Sequence, residues 1–331
     1  MAVNLTPQYL EAEAEYKKAQ TPEERLACLK KMWALVPKHK ASEKLQAELK
    51  TKLSEAREEV EHARKHPKKT GGVSYKIPKQ GAGQYVLLGP PNAGKSRLLT
   101  RLTRAAPEVA PYPFTTREPH AGMMDWQDVK VQLIDLPPIT ADVMEPYISS
   151  MTRAADAALL MLDLGDDDGP FTVETVLERL AAVKTVLARE VPLEQEDYSI
   201  EVVKTLLVAN KIDLPGAADR LEIVREMFGA RFPIHVISAE HGTGLEELRD
   251  AIYQFLNVIR VYTKQPGKPP DLTSPFTVPA GSTLVEMAAQ VHRDFAENLK
   301  SARIWGTGVF DGQSVKRDHV LHDKDIVELH A

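Results

Sequence analysis

The sequence predicts an α/β protein built on a mainly parallel sheet, with a helical arm before it and a small separate module after it. Three observations carry that prediction. Short apolar runs of strand length alternate with helix-period segments through the middle of the chain. A glycine-rich loop, Gly89-Pro90-Pro91-Asn92-Ala93-Gly94-Lys95-Ser96, separates the first such run from the first helical segment. Breaks at His66–Gly72 and Lys264–Asp271, rich in Pro and Gly, set off the two ends. The parts are a helical arm or hairpin at 1–70, an α/β domain at 82–265 and a small domain at 275–331.

The arm opens on Thr21-Pro22-Glu23-Glu24, which has capping-box spacing: Thr21 at the N-cap, Pro at the first helical position and Glu at the third. Leu26, Leu29, Trp33 and Val36 follow at helical spacing until Pro37 stops the run. Leu45, Leu49, Leu53, Ala56 and Val60 form a second stripe. Both stripes are narrow, which fits two helices packed on each other or on a partner.

In the central domain the candidate strands are Tyr85–Leu88, Val129–Ile134, Ala157–Leu162, Leu206–Ala209 and Ile234–Ile237. Helical patterns lie near 95–105, 142–154, 171–190, 217–229 and 244–262. Strands alternating with helices imply a sheet covered on both faces. The final module starts on strand-like Phe276-Thr277-Val278. A helix with Leu284, Met287, Val291, Phe295 and Leu299 on one face follows, and strand-like Asp325–His330 closes it.

Composition narrows the class. With 331 residues, 43% hydrophobic and 27% charged, the chain suits a soluble protein of two or three domains. Aromatics are only 6%, which leaves little for a large aromatic-lined cavity. No apolar run approaches the ~20 residues of a membrane helix, and the first residues lack the apolar stretch of a secretory signal. A single cysteine, Cys28, excludes an intramolecular disulfide framework and a cysteine zinc cage. These point to the cytoplasm and away from membranes. The net charge of -5 hides an asymmetry: residues 1–84 carry 17 Lys and Arg against 11 Asp and Glu, while the remainder is acidic. The basic arm, with Lys44, Lys50, Lys52, Arg57, Arg64, Lys65, Lys68 and Lys69, is the electrostatic candidate for a polyanionic partner.

The loop at 89–96 has the G-x-x-x-x-G-K-S spacing of a phosphate loop, in the strand–loop–helix context that pattern requires. Backbone N–H groups of Gly89, Asn92, Ala93, Gly94, Lys95, Ser96 and Arg97, together with the helix N-terminus, offer a positive concavity to phosphate oxygens. Lys95 reaches toward the β- and γ-phosphates, and the Ser96 hydroxyl toward Mg²⁺. Asn210-Lys211-Ile212-Asp213 ends the strand Leu206–Ala209 and selects the base. The Asp213 carboxylate can accept two hydrogen bonds from guanine N1–H and its exocyclic amine, a donor pair that adenine lacks. Asn210 braces the loop and the Lys211 stem covers the base. After the next strand come Ser238 and Ala239, whose backbone N–H can meet the guanine oxygen. GTP is the ligand that explains both motifs in this order.

The order resembles the translation-factor-related GTPases, within them the Obg group, and there the developmentally regulated GTP-binding proteins. Pro113-Phe114-Thr115-Thr116 looks like the first switch of that group, and Ile134-Asp135-Leu136-Pro137 like the third GTPase motif. Ile259–Lys264, Ser301–Gly306 and Asp318-His319-Val320-Leu321 resemble further segments, the last of a TGS domain with a β-grasp fold. The resemblance implies that Thr116 completes Mg²⁺ coordination beside Ser96 and that Asp135 holds the metal. It also implies that Asn92 binds K⁺, which would neutralise charge between the β- and γ-phosphates. An asparagine that merely fits a tight turn is the other reading of Asn92.

The chain departs from the pattern. The third motif normally ends in a glycine whose N–H meets the γ-phosphate; here Pro138 has no N–H to give. A water-orienting glutamine is absent at Ile139, where the resembled group also places a hydrophobic residue; the glycine-rich second switch is missing, and there is little room for an inserted subdomain. The expected function is a GTPase converting GTP to GDP and phosphate with Mg²⁺. Lys95, Thr116 and Asn92 would carry catalysis, on ribosomes or RNA or with a protein regulator. The alternative is a GTP-binding scaffold that hydrolyses weakly or not at all. An ATP-dependent kinase is disfavoured by Asn210–Asp213. Asp163, Asp166, Asp167 and Asp168 read as a solvated acidic loop away from the nucleotide motifs, and His319, His322 and His330 as surface histidines.

Overall fold

The computed structural model describes residues 9, 22–36, 49–53, 75, 77–103, 118–192, 197 and 199–330. The chain divides into two compact units, Met1–Ser74 and Tyr75–Ala331. In the first, α1 (Pro22–Leu35) opens on the proline expected in a first turn. Leu29, Met32 and Val36 share an apolar cluster with Tyr9 and with Leu49 and Leu53 of a helical segment. Trp33, expected in that stripe, is 37% exposed and Met32 takes its place. Spacings of three-then-four and four-then-three are both helical, so only the packing partners decide between them. Thr21, Leu45, Ala56, Val60 and the break at His66–Gly72 lie outside the described residues.

The second unit begins with β1 (Gln84–Leu88), α2 (Lys95–Leu102), β2 (His120–Trp126), β3 (Val129–Asp135) and α3 (Pro146–Ala154). It continues through β4 (Ala157–Asp163), α4 (Gly169–Ala182), β5 (Thr185–Ala188), β6 (Glu201–Asn210), α5 (Ala217–Phe228), β7 (Ile234–Val236) and α6 (Leu245–Leu256). These seven strands form one sheet in the order β2-β3-β1-β4-β6-β5, with β7 pairing β6. Every pairing is parallel except the β2–β3 hairpin.

Both faces of this sheet are covered, which is why β1 is buried along its whole length. Val86, Leu88, Leu160 and Leu162 pack beneath Ile148, Val173, Val176 and Val224 of α3, α4 and α5. Tyr85, Leu87, Leu159 and Met161 pack beneath Leu98, Leu102, Leu248 and Ile252 of α2 and α6. Because the strands run parallel, the loops leaving β1, β3, β4, β6 and β7 gather at one edge, where an open α/β sheet places its ligand site.

Two expected helices are too long. The pattern at 171–190 holds a helix only to Ala182 and then becomes β5. The pattern at 244–262 ends at Leu256, where Asn257 takes a left-handed conformation at φ +55° and closes the helix. Val258–Lys264 is instead β8, rich in β-branched and aromatic residues, and it belongs to a second sheet.

That second sheet contains β8, β9 (Pro270–Pro279), β10 (Ser301–Trp305), β11 (Gln313–Val315) and β12 (Asp325–His330), in the order β11-β10-β12-β8-β9. The break at Lys264–Asp271 is the turn between β8 and β9. Pro270 begins an edge strand, where its missing N–H removes no ladder bond. The expected single helix is two, α7 (Leu284–Val291) and α8 (Arg293–Asn298), interrupted by His292 in extended conformation. A Thr283–Glu286 capping box starts α7, whose Leu284, Met287 and Ala288 pack on Ile259, Val261, Val278, Ile304 and Val327.

Arg260 of β8 fastens this second sheet to the first. Its guanidinium donates to both oxygens of Asp323, at 3.1 and 2.7 Å. It also donates to Gln127 Oε1 at 2.7 Å and to Asp128 Oδ1 at 2.8 Å, both on the β2–β3 turn. Tyr262 donates to the other oxygen of Asp128. The guanidinium lies 5.2 Å from the Trp126 ring, and Trp126 stacks on Tyr253 of α6 at 3.6 Å. Burial works against ionising Asp128 and Asp323, but the hydrogen bonds from Tyr262 and Arg260 outweigh it and hold both carboxyls below the usual range.

Candidate functional site

The glycine-rich loop bridges β1 and α2 and its conformation is unavailable to most side chains. Gly89 stands at φ +149°, and a Cβ there would lie 2.7 Å from the Met161 carbonyl oxygen. Gly94 stands at φ +94°, where a Cβ would meet Asn210 Nδ2 at 2.3 Å. Asn92 is also left-handed, at φ +60°, and exposed, which the turn alone accounts for. Ala93 is buried. Lys95, 7% exposed, folds back over the loop and donates to the carbonyls of Gly89 at 3.1 Å and Pro90 at 2.9 Å.

Beside the start of α2, Ser96 donates to Asp135 Oδ2 at 2.5 Å. The other carboxylate oxygen, Asp135 Oδ1, is buried with no hydrogen-bond partner. Burial pushes this carboxyl up from its ordinary pKa, opposed by the Ser96 hydrogen bond and the charges of Lys95 and His120. A buried, unpartnered carboxylate oxygen next to a hydroxyl is a donor set that fits a hard divalent cation such as Mg²⁺. Beyond Asp135 the chain is pinned: Leu136 N–H donates to Leu87 O at 3.4 Å and Ile139 N–H to Gly89 O at 3.2 Å. Between them Pro137 and Pro138 give no N–H. Thr116 and the rest of Pro113–Thr116 lie outside the described residues.

The base-selecting segment leaves β6. Asn210, 2% exposed, staples two loops together: its Nδ2 donates to Ala93 O and its Oδ1 accepts from Ala239 N, each at 3.0 Å. The Ala239 N–H, expected to meet the guanine oxygen, is therefore committed to Asn210. Ser238, fully buried, hydrogen-bonds Asp213 and holds its carboxyl below the usual range. His241 approaches Asp213 at 3.6 Å. Asp213 itself is exposed and ionised, ready to accept two donors. The Arg97 side chain turns to Glu240 at 2.8 Å, while Arg101 donates to the carbonyls of Ala239 and Glu240. These bonds tie α2 to the loop after β7.

Asp163 corrects one expectation. It pairs in register with Asn210 at the ends of β4 and β6, and its carboxylate forms an ion pair with Lys211. The first residue of the acidic run is thus part of the nucleotide edge. A signal existed in the sequence, since Asp163 and Asn210 are both the first polar residue after an apolar strand. Of the rest, Asp167 pairs with Arg220 at 2.7 Å, and Asp166 accepts from its neighbour Asp168 N at 3.1 Å. Of the C-terminal histidines, read as surface residues, His322 is exposed near Asp325, whereas His319 and His330 are half-buried: His319 Nε2 is buried with no hydrogen-bond partner and His330 lies near Glu328. Among the described residues no group of three His, Cys, Asp or Glu side chains is arranged to hold a metal. Nor is any described helix long and apolar enough to cross a membrane.

A phosphate loop on β1, an Asp–Ser pair behind it and an ionised aspartate beyond β6 define a P-loop GTP-binding protein. Residues 84–211 match the model of the 50S ribosome-binding GTPase family and residues 259–331 that of the TGS domain. An uncharacterized GTP-binding protein of Methanocaldococcus jannaschii is 28% identical, with 93% of this chain and 92% of the relative covered. Developmentally-regulated G-protein 2 of Arabidopsis thaliana is 27% identical, covering 92% and 90%. The archaeal alignment spans 372 positions, more than this chain contains, so the relative carries segments with no counterpart here. The structure of the Schizosaccharomyces pombe YchF GTPase covers 77% of this chain and all of that one, with a TM-score of 0.52 and 12% identity, a likeness of fold. The chain thus joins a GTPase segment to a TGS domain, and over 92% of its length its homologues include the developmentally regulated GTP-binding proteins.

Proposed function

We propose that this protein hydrolyses GTP to GDP and phosphate with Mg²⁺, as a cytoplasmic regulatory GTPase acting on ribosomes or other RNA. The observation that carries the reaction is the Ser96–Asp135 pair with its unpartnered Asp135 Oδ1. Ser96 and Asp135 would hold the ion, with Thr116 completing its shell. Bound Mg²⁺ offsets charge on the β- and γ-phosphate oxygens. Lys95 leaves the Gly89 and Pro90 carbonyls for the phosphates, while the loop N–H groups fix them for in-line attack by water. Asp213, with Asn210 and Ser238 behind it, reads the guanine edge. The division between nucleotide domain and TGS domain falls at Val258, where β8 joins the second sheet. The RNA-directed role is supported by the ribosome-binding description of the matching family, the TGS domain and the basic arm.

A second reading, a GTP-binding scaffold with little intrinsic turnover, is favoured by the segment after Asp135. Pro138 has no N–H, and that of Ile139 is held by Gly89 O. An oriented donor to the transferring phosphate is worth about 10²–10³ in rate. Replacing Pro138 with Gly is therefore expected to raise single-turnover hydrolysis by up to that factor; an unchanged rate removes Pro138 as the cause of slow turnover.

The test of the whole reading is single-turnover GTP hydrolysis with protein in excess, in K⁺ and in Na⁺ at equal ionic strength. Turnover that is faster in K⁺ supports a working enzyme and gives Asn92 a cation role. Equal rates leave Asn92 as a turn residue. Tight binding with negligible turnover in both salts, and again with ribosomes present, supports the scaffold. ATP displacing GTP at equal concentration overturns the base assignment.

A further inference from the structure

Asp163 lies outside the motifs that name the site, yet everything around it converges on Lys211. Both its carboxylate oxygens are engaged: Oδ2 with the Lys211 ammonium, Oδ1 with the backbone N–H of Gly165 at 2.8 Å. The Asp163 side chain is 12% exposed and that of Lys211 31%, so the pair is partly shielded from water. Lys211 is itself unusual, a non-glycine residue in left-handed conformation at φ +68°. Its side chain has four rotatable bonds, so the ammonium has no fixed place without an anchor.

The loop that carries Asp163 is fixed to the loop that carries Lys211 by independent bonds. Leu164 N–H donates to Asn210 O at 2.9 Å. Arg220 of α5 donates to Leu164 O, to Pro215 O and, at 2.7 Å, to Asp167. Gly165 lies so close under Leu214 that a Cβ there would be 2.3 Å from its methyl group. Asp163 is thus held by bonds on several sides, and the Lys211 ammonium is moored to it.

We propose that Asp163 is a positioning residue of the nucleotide site: it fixes the Lys211 ammonium so that the lysine stem lies along the face of the bound base. The proposal rests on the GTP-binding reading and names a further determinant of affinity at that same site. Asp163 touches no nucleotide. It removes in advance the conformational freedom that Lys211 would otherwise lose on binding, an effect of up to about tenfold for one long side chain. The contribution is blind to the 2-amino group of the base, which is the concern of Asp213.

The experiment measures dissociation of GDP and of inosine diphosphate, which lacks that amino group, from the full chain with Mg²⁺. The proteins are the wild type, Asp163→Asn, Asp163→Glu, Lys211→Ala and the Asp163→Asn/Lys211→Ala double variant. Asp163→Asn is expected to speed release of both nucleotides about tenfold, leaving their ratio unchanged, with Asp163→Glu recovering part of the loss. In the Lys211→Ala background the Asp163 change is expected to have no further effect. Release from Asp163→Asn within twofold of wild type overturns the proposal. So does an equal loss in both backgrounds, which is the mark of a general structural role. A thermal melt of each variant separates slower or faster release from a smaller folded fraction, and Asp163→Glu stands in if the Asn variant does not fold. Failure of the wild type to bind GDP overturns the GTP reading and this proposal together, whereas failure in the variants alone overturns only the proposal.

Discussion

Asp213→Asn is expected to lower GTP affinity by about 10³-fold and to raise affinity for xanthosine triphosphate over the wild type. The ionised carboxylate only accepts, and guanine presents two donors on that edge, N1–H and the 2-amino group. An asparagine amide presents one acceptor and two donors, so its NH₂ would face the guanine amine and leave a polar contact unmade. Xanthine carries an oxygen at that position and accepts what the amide gives. Ser238 hydrogen-bonds Asp213 and keeps it charged, so the discrimination holds through mildly acidic solution. Competition binding with GTP, XTP and ATP checks it. A variant that keeps its preference for GTP would show that Asp213 does not read the base.

Arg260→Ala is expected to cost about 3 kcal/mol, the lower end for breaking a buried ion pair, because Asp128 and Asp323 keep some solvent. In a unit of this size that lowers Tm by roughly 6–12 °C. The side chain makes four hydrogen bonds to three residues on two domains and covers Trp126, so Arg260→Lys, with a compact ammonium, should restore only a fraction. Protease cleavage at the 257–258 junction should accelerate in step. The pH dependence has a definite sign. Both carboxyls are lowered in the folded state, so their contribution is complete above the ordinary carboxylate pKa near ~4 and fades as pH falls through the lowered values. The docked arrangement should therefore hold at pH 5 and loosen in stronger acid. A melting temperature and cleavage rate unaffected by Arg260→Ala would show that apolar contacts alone join the domains.

The phosphate loop and Asn210–Asp213 were readable because local chemistry demands particular residues there. Only glycine tolerates φ +149° and +94° beside other backbone, and only a carboxylate accepts both guanine donors. The central strands were readable for a related reason, since burial on both faces makes them continuous apolar runs. Edge strands β2 and β5 carry no such run and escaped notice. Strand β8 was absorbed into the preceding helix because Ile259 and Tyr262 continue its spacing by chance, and the αL turn at Asn257 has no strong signal in a single residue.

By itself, then, the sequence determined the class of protein, the nucleotide it takes and the two domains that follow the arm, because each depends on residue types at fixed short spacing. Tertiary structure decided which long-range pairs form. Strand register brings Asp163 to Lys211 across 48 positions, and the β2–β3 turn comes within reach of Arg260 across more than 130. The same packing commits the Ala239 N–H to Asn210 and leaves one oxygen of Asp135 without a partner. Such pairings follow from how parallel strands align and how two sheets dock, and neither is encoded in any local window of the chain.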